Sequence, residues 1–227
     1  MRQFPLMLFA AGFGTRMGAL TADRPKPLIP VAGRALLDHA LAFVPPGCRP
    51  VINLHYRAEQ LAAHLANRDV VLSLEPDLLD TGGGLRAALP LLGPGPVMTL
   101  NTDAVWTGAN PLSQLAAAWR DDMDALLLLL PASQAVGFLP AGDFVLDAAG
   151  RIRRANGAAG HAYLGAQIIR PAGLAAVAER AFSLNRLWDR MIAEGRAYGV
   201  VHHGGWCDVG RPDSIPLAEA MLRGGDV

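Results

Sequence analysis

An apolar run, Pro5-Leu6-Met7-Leu8-Phe9-Ala10, passes directly into Ala11-Gly12-Phe13-Gly14-Thr15-Arg16-Met17. Ten residues after Arg16 stands Lys26, inside Arg24-Pro25-Lys26-Pro27-Leu28. The run reads as a buried strand. The glycines after it let backbone N–H groups approach phosphate oxygens, and the two cations neutralise phosphate charge. Fold and ligand are constrained together: a core strand opens at its carboxyl end onto a polyphosphate. The loop is not a Walker A loop, which needs Gly-x-x-x-x-Gly-Lys-Ser/Thr. Nor is it a dinucleotide fingerprint, because Met17 holds the third glycine's place, which with Arg16 argues against NAD or FAD. A plain strand-to-loop turn remains open for Gly12 and Gly14. A signal peptide headed by Arg2 fits poorly, since about eight apolar residues lead into glycines rather than a cleavage site.

Beyond this loop, short apolar runs alternate with helix-like stretches, the rhythm of an α/β protein with a mainly parallel sheet. The strands expected are Leu6–Ala10, Val51–Leu54, Val70–Leu74, Val97–Leu100 and Ala125–Leu130, with helices at Ala35–Phe43, Ala58–Leu65, Gly84–Leu91 and Leu112–Arg120. The runs are almost continuously apolar, as strands covered on both faces require. After Pro131 the rhythm changes. Phe144–Leu146 and Ile152–Arg153 flank a hairpin turn, and a strand follows at Ala162–Ile169. Helices are then expected at Leu174–Arg180 and Arg186–Glu194, a strand at Ala197–Val201 and a closing helix from about Pro212. With no linker, repeat or low-complexity tract, residues 1–227 read as one domain.

Twenty basic residues balance twenty acidic ones, so no global positive field recruits nucleic acid. The longest aliphatic block, Ala125 to Leu130, is too short to span a bilayer. Cys48 and Cys207 match no zinc spacing or disulfide framework, and a reducing cytoplasmic setting is the expectation. His202 and His203, adjacent on a strand, would point to opposite faces and so do not chelate one zinc ion.

Candidate chemistry lies where strands end, which in open α/β sheets is where ligands bind. Asn101-Thr102-Asp103 follows the strand Val97–Leu100, and Asp208 comes after the last strand, 105 residues further on. One or two carboxylates, water and phosphate oxygens suit Mg²⁺. Spacing alone does not select this pair, since a solvated aspartate or a helix N-cap reads equally well. Between them lies Glu75-Pro76-Asp77-Leu78-Leu79-Asp80-Thr81-Gly82-Gly83-Gly84. Its glycines either let a flat ligand lie against the backbone or simply form a flexible turn before a helix.

The opening loop resembles the signature of the sugar-1-phosphate nucleotidyltransferases, Gly-x-Gly-Thr/Glu-Arg-Met followed by Pro-Lys-Pro-Leu. The likeness runs over essentially the whole chain and is strongest to the short N-acetylmuramate-1-phosphate uridylyltransferases. It implies a Rossmann-like fold of the nucleotide-diphospho-sugar transferase type, with a β-hairpin subregion for the sugar. Residues 1–130 would then be the nucleotide-binding half and 131–227 the sugar-phosphate half, with no room for the C-terminal β-helix of larger relatives. The implied partners are a nucleoside triphosphate and a sugar 1-phosphate, with no nucleic acid or membrane; the implied cofactor is Mg²⁺ on Asp103 and Asp208. Thr102 and Arg211 depart from the family's glycine and threonine. Arg16 and Lys26 take catalytic roles, Ala11, Gly12, Gly14 and Thr15 hold phosphates, and Gly83 contacts the base through its backbone. Asn53, with Glu75 and Thr81, joins the nucleotide pocket. Gly165, in Tyr163-Leu164-Gly165-Ala166-Gln167, lets the sugar approach, and Asn156 reaches a sugar hydroxyl. UTP with N-acetylmuramate 1-phosphate is the implied pair. CTP with phosphocholine, GTP with a heptose or mannose phosphate, dTTP with glucose 1-phosphate, and a silent sugar-nucleotide sensor are the alternatives.

Overall fold

The computed structural model describes residues 2–224. Thirteen strands form: β1 (Leu6–Phe9), β2 (Pro30–Val31), β3 (Arg34–Ala35), β4 (Val51–Leu54), β5 (Val71–Leu74), β6 (Val97–Asn101), β7 (Ala104–Trp106), β8 (Ala125–Pro131), β9 (Phe144–Leu146), β10 (Ile152–Arg154), β11 (His161–Ile169), β12 (Ala197–Val201) and β13 (Trp206–Asp208). The α-helices are α1 (Leu36–Leu41), α2 (Ala58–Leu65), α3 (Asp80–Leu92), α4 (Pro111–Ala118), α5 (Asn185–Ala193) and α6 (Ser214–Gly224).

β1 is central, paired in parallel with β4 on one side and β6 on the other, and β5 extends the sheet beyond β4. β11 runs antiparallel to both β6 and β8, and β12 lies parallel to β8. The β9–β10 hairpin attaches at the start of β11. This is the mainly parallel sheet with a hairpin subregion that the sequence implies. Successive strand residues serve opposite cores, as a period of two demands. Leu6 and Leu8 pack with Ile52, Leu100 and Leu128 under α1, α2 and α4; Met7 packs on the other face with Val51 and Leu127 under α3 and α5. Each fully buried leucine here contributes about 1.5–3 kcal/mol relative to exposure. A third cluster, Met17, Ile29, Leu36, Val105, Val209 and Ala218, packs α6 beneath the opening loop. Among the described residues no helix is long and apolar enough to cross a membrane.

Two expected helices differ. α3 begins at Asp80, four residues before Gly84, so the triple glycine lies inside its first turns. The expected helix Leu174–Arg180 is a short 3₁₀ turn, Pro171–Ala176, followed by an irregular strap. The two deviations have one cause. The Phe182 carbonyl accepts from the N–H groups of Gly82 and Gly83, and Phe182 N–H donates to the Leu79 carbonyl. A β-carbon on Gly83 would lie 2.5 Å from the Arg180 carbonyl oxygen. The glycines allow the strap to dock on α3, and docking takes up backbone groups that a helix there would have used.

Candidate active site

The carboxyl ends of β1, β4 and β6 surround a cavity of about 420 Å³. Its floor is the turn out of β1. Ala10 N–H donates to Asn53 Oδ1 (2.8 Å), Asn53 Nδ2 donates to Glu75 Oε1 (2.7 Å), and Leu79 N–H donates to Glu75 Oε2 (3.1 Å). Asn53 and Glu75 are almost completely buried. Their bonds tie three strand ends into one frame. Gly14 has φ +66°, and a β-carbon there would lie 2.7 Å from Lys26 Cβ, so both backbone and space call for glycine. Tyr56 hydroxyl donates to the Thr21 carbonyl (2.7 Å), holding the far side of the loop.

Lys26, the only lysine in the chain, donates from Nζ to Asp103 Oδ2 at 2.9 Å. Enclosure alone would push the Asp103 carboxyl up. The Lys26 ammonium, helped by Arg16, outweighs it and holds the group below the ordinary aspartate value. Thr102 donates its hydroxyl to the Phe9 carbonyl (2.7 Å) and so fastens the Asp103 turn to β1. Asp208 arrives from the far end of the chain because β13 pairs antiparallel with β7, placing it opposite Ala104; Val209 N–H then donates to the Asp103 carbonyl (2.9 Å). The two aspartates are therefore neighbours. Burial, with Asp103 beside it, pushes the Asp208 carboxyl up to about 6 against the pull of Lys26, Arg16 and Arg211. The turn is tight: a β-carbon on Gly210 would lie 2.7 Å from Asp208 Oδ2 and 3.0 Å from Arg16 Nη1.

Ala11, Gly12, Gly14, Thr15, Arg16, Lys26, Asn53 and Asp103 all line the cavity, as does Gly210 beside Asp208. Three expected contacts lie elsewhere. Gly83 faces the strap and its N–H is bonded to Phe182, so it does not line the cavity; Leu78, Asp80 and Thr81 form that wall instead. Asp80 is a non-glycine residue at φ +59°, a left-handed conformation that aspartate tolerates better than most side chains. Gly165 sits at a bulge in β11, where a β-carbon would meet Asn101 Nδ2 at 2.9 Å; it abuts the lining residue Asn101 without lining the cavity itself. Asn156 is an exposed turn residue away from the cavity.

Two anionic side chains facing two cations suit a divalent ion bridged to phosphate. Mg²⁺ is satisfied by one or two carboxylates when phosphates and water complete its shell. The neighbouring, partly enclosed carboxylates fit such an ion, which would relieve their mutual repulsion. No group of three or more potential ligands occurs among the described residues, and His202 is buried against Gln114 and Thr107. Cys207 lies in the third core cluster, its thiol pushed up to about 12 by burial, so it offers no nucleophile.

A family description, the MobA-like NTP transferase domain, matches residues 6–180. An N-acetylmuramate alpha-1-phosphate uridylyltransferase of Caulobacter vibrioides is 41% identical over 95% of this chain and 96% of its own. Its namesake from Neisseria meningitidis serogroup B is 32% identical over the same shares. The bifunctional protein GlmU of Burkholderia multivorans is 36% identical over 66% of this chain, which is 32% of that protein. Among solved structures, HddC from Yersinia pseudotuberculosis complexed with GMP-PN superposes with a TM-score of 0.75 at 17% identity, covering 97% of this chain and 100% of that one. A Bacillus anthracis protein solved with sucrose gives 0.81 at 15% identity, covering 97% and 96%. At such identities these two likenesses speak for the fold alone.

Proposed function

We infer the function from one premise: the chain belongs to the MobA-like NTP transferase family, as a sugar-1-phosphate nucleotidyltransferase. The reaction is attack by a sugar 1-phosphate oxygen on the α-phosphorus of a nucleoside triphosphate. The new P–O bond forms as the bond to the bridging oxygen breaks, and pyrophosphate leaves with that electron pair. UTP and N-acetylmuramate 1-phosphate are the substrates, after the two relatives matched along nearly their whole length. The attacking oxygen is already anionic, so no general base or covalent intermediate is required. The obstacle is electrostatic: two anions must meet and a more crowded charge must be accommodated.

The observation that supports this reading is that Arg16, Lys26 and Asp103 line one cavity while the β7–β13 pairing sets Asp208 beside Asp103 at its edge, next to the lining residue Gly210. Amides of the Ala11–Thr15 loop hold the triphosphate, while Arg16 and Lys26 neutralise its tail and favour departure of pyrophosphate. Asp103 and Asp208 would hold Mg²⁺, which when bound supplies charge neutralisation to the phosphates. Asn53 acts beneath the ligand by fixing Ala10. The reaction belongs in the cytoplasm, in keeping with the two free cysteines.

The test is pyrophosphate release across UTP, CTP, GTP and dTTP with a panel of phosphorylated acceptors. UTP with N-acetylmuramate 1-phosphate should give the highest kcat/KM. Arg16→Ala and Asp103→Asn should each lose about 10²–10³ in rate with folding retained. Release with another pair would reassign the substrates, and no release with any would leave a sugar-nucleotide sensor.

A further inference from the structure

The proposed acceptor carries more charge than its phosphate. N-acetylmuramate differs from N-acetylglucosamine by a lactyl ether, which adds a carboxylate. A site that prefers the acid needs a cation beyond those engaged by the phosphates, because a desolvated carboxylate without a partner is costly. Lys26 is on Asp103, and Arg16 lines the phosphate side of the cavity. Most other arginines are spent: Arg170 and Arg196 on Asp124, Arg154 on Asp189, Arg86 on the Val177 and Glu179 carbonyls.

Arg211 is different. It is exposed, and among the described residues no carboxylate lies within salt-bridge distance and no carbonyl accepts from its guanidinium. It follows Gly210, which lines the cavity and is folded tightly over Asp208 Oδ2. Arg211 therefore stands one residue along the chain from the cavity wall and from the turn that packs on Asp208. Ser214 N–H bonds the Arg211 carbonyl as α6 begins, so the positive end of an eleven-residue helix lies beside it. Asp213 is the one acidic residue between them. Arg24, exposed and likewise without a partner among the described residues, stands two residues before Lys26.

We propose that Arg211 is the specificity-determining residue for the acceptor, receiving the carboxylate of an acid-bearing sugar 1-phosphate. This rests on the reading above and extends it by naming the residue that selects the acid-bearing acceptor. Arginine suits the task because its planar fork meets a carboxylate through two parallel hydrogen bonds, which lysine cannot reproduce.

The experiment compares wild type, Arg211→Met, Arg211→Lys and Arg24→Met on N-acetylmuramate 1-phosphate and N-acetylglucosamine 1-phosphate, at saturating UTP and Mg²⁺. Arg211→Met should raise KM for the acid by about 10–100-fold, the loss of a charge-assisted bidentate contact, with kcat nearly unchanged. KM for the neutral sugar and for UTP should stay within about twofold. Arg211→Lys should recover part of the loss, and Arg24→Met should leave the ratio of the two acceptors alone. Calorimetric binding of the two UDP-sugars to the same proteins should show the same selective loss without turnover. Equal loss on both acceptors, no loss on either, or transfer of the effect to Arg24 overturns the assignment. A wild type active on neither sugar defeats the underlying function instead, and so separates the two failures.

Discussion

Asp208→Asn should make the protein inactive and more stable, and the size of the gain follows from the site. The Asp208 carboxyl sits at about 6 in the fold against 3.8 for a free aspartate, raised by burial and by Asp103. The folded state therefore binds this proton more tightly than the unfolded chain does. Stability from the group is full below about pH 4 and is lost as pH rises through about 6. At neutral pH the ionised carboxylate works against folding. About two units at 1.36 kcal/mol per unit set a ceiling of roughly 3 kcal/mol. Water reaching the partly buried group lowers the expected gain to about 1–2 kcal/mol. Asparagine keeps the shape and removes the charge. In a chelator-treated sample near pH 7.5, scanning calorimetry should show Tm higher by about 2–8 °C. Near pH 3, below both values, the two proteins should melt together, both side chains being neutral in the folded and the unfolded chain. A variant less stable than wild type at pH 7.5, or an equal gain at both pH values, would refute the electrostatic account.

Asn53→Ala should leave Glu75 Oε1 and the Ala10 N–H without their partner, costing about 1–3 kcal/mol by urea unfolding. Its kinetic mark should be a raised KM for the nucleotide, read by initial rates, because the displaced floor carries the phosphate loop. Gly83→Ala places a methyl against the Arg180 carbonyl and should cost about 1–3 kcal/mol in thermal unfolding. A stable Gly83→Ala protein that had lost only nucleotide affinity would return Gly83 to the base pocket.

The two deviations from the expected elements share a physical origin. Residues 174–180 have helical composition, and the triple glycine has the composition of a turn. Each preference is weak, and tertiary contact reverses both. A segment 100 residues away, the strap ending at Phe182, needs a surface without β-carbons, and two helical glycines, Gly82 and Gly83, provide it, while Gly84 clears Glu75 and Asn53. Local propensity holds no information about such a partner. Thr102 shows the same limit. Its hydroxyl bonds a carbonyl on β1, so what looks like a departure from the family is a fastening across two strands.

From residues alone came the apolar runs that read as strands, the glycine-and-cation loop whose chemistry suits phosphate, and two carboxylates of the kind a divalent ion takes. These are local, because burial pattern, backbone freedom and charge are properties of short segments. That Asp103 and Asp208 stand side by side, that Lys26 holds one of them, and that Asn53 and Glu75 are struts beneath the cavity were decided by the β7–β13 pairing and the shared ends of β1, β4, β5 and β6. Proximity between residues a hundred positions apart exists only once the sheet has closed its register, and it is that proximity which turns ordinary aspartates and a lysine into a site.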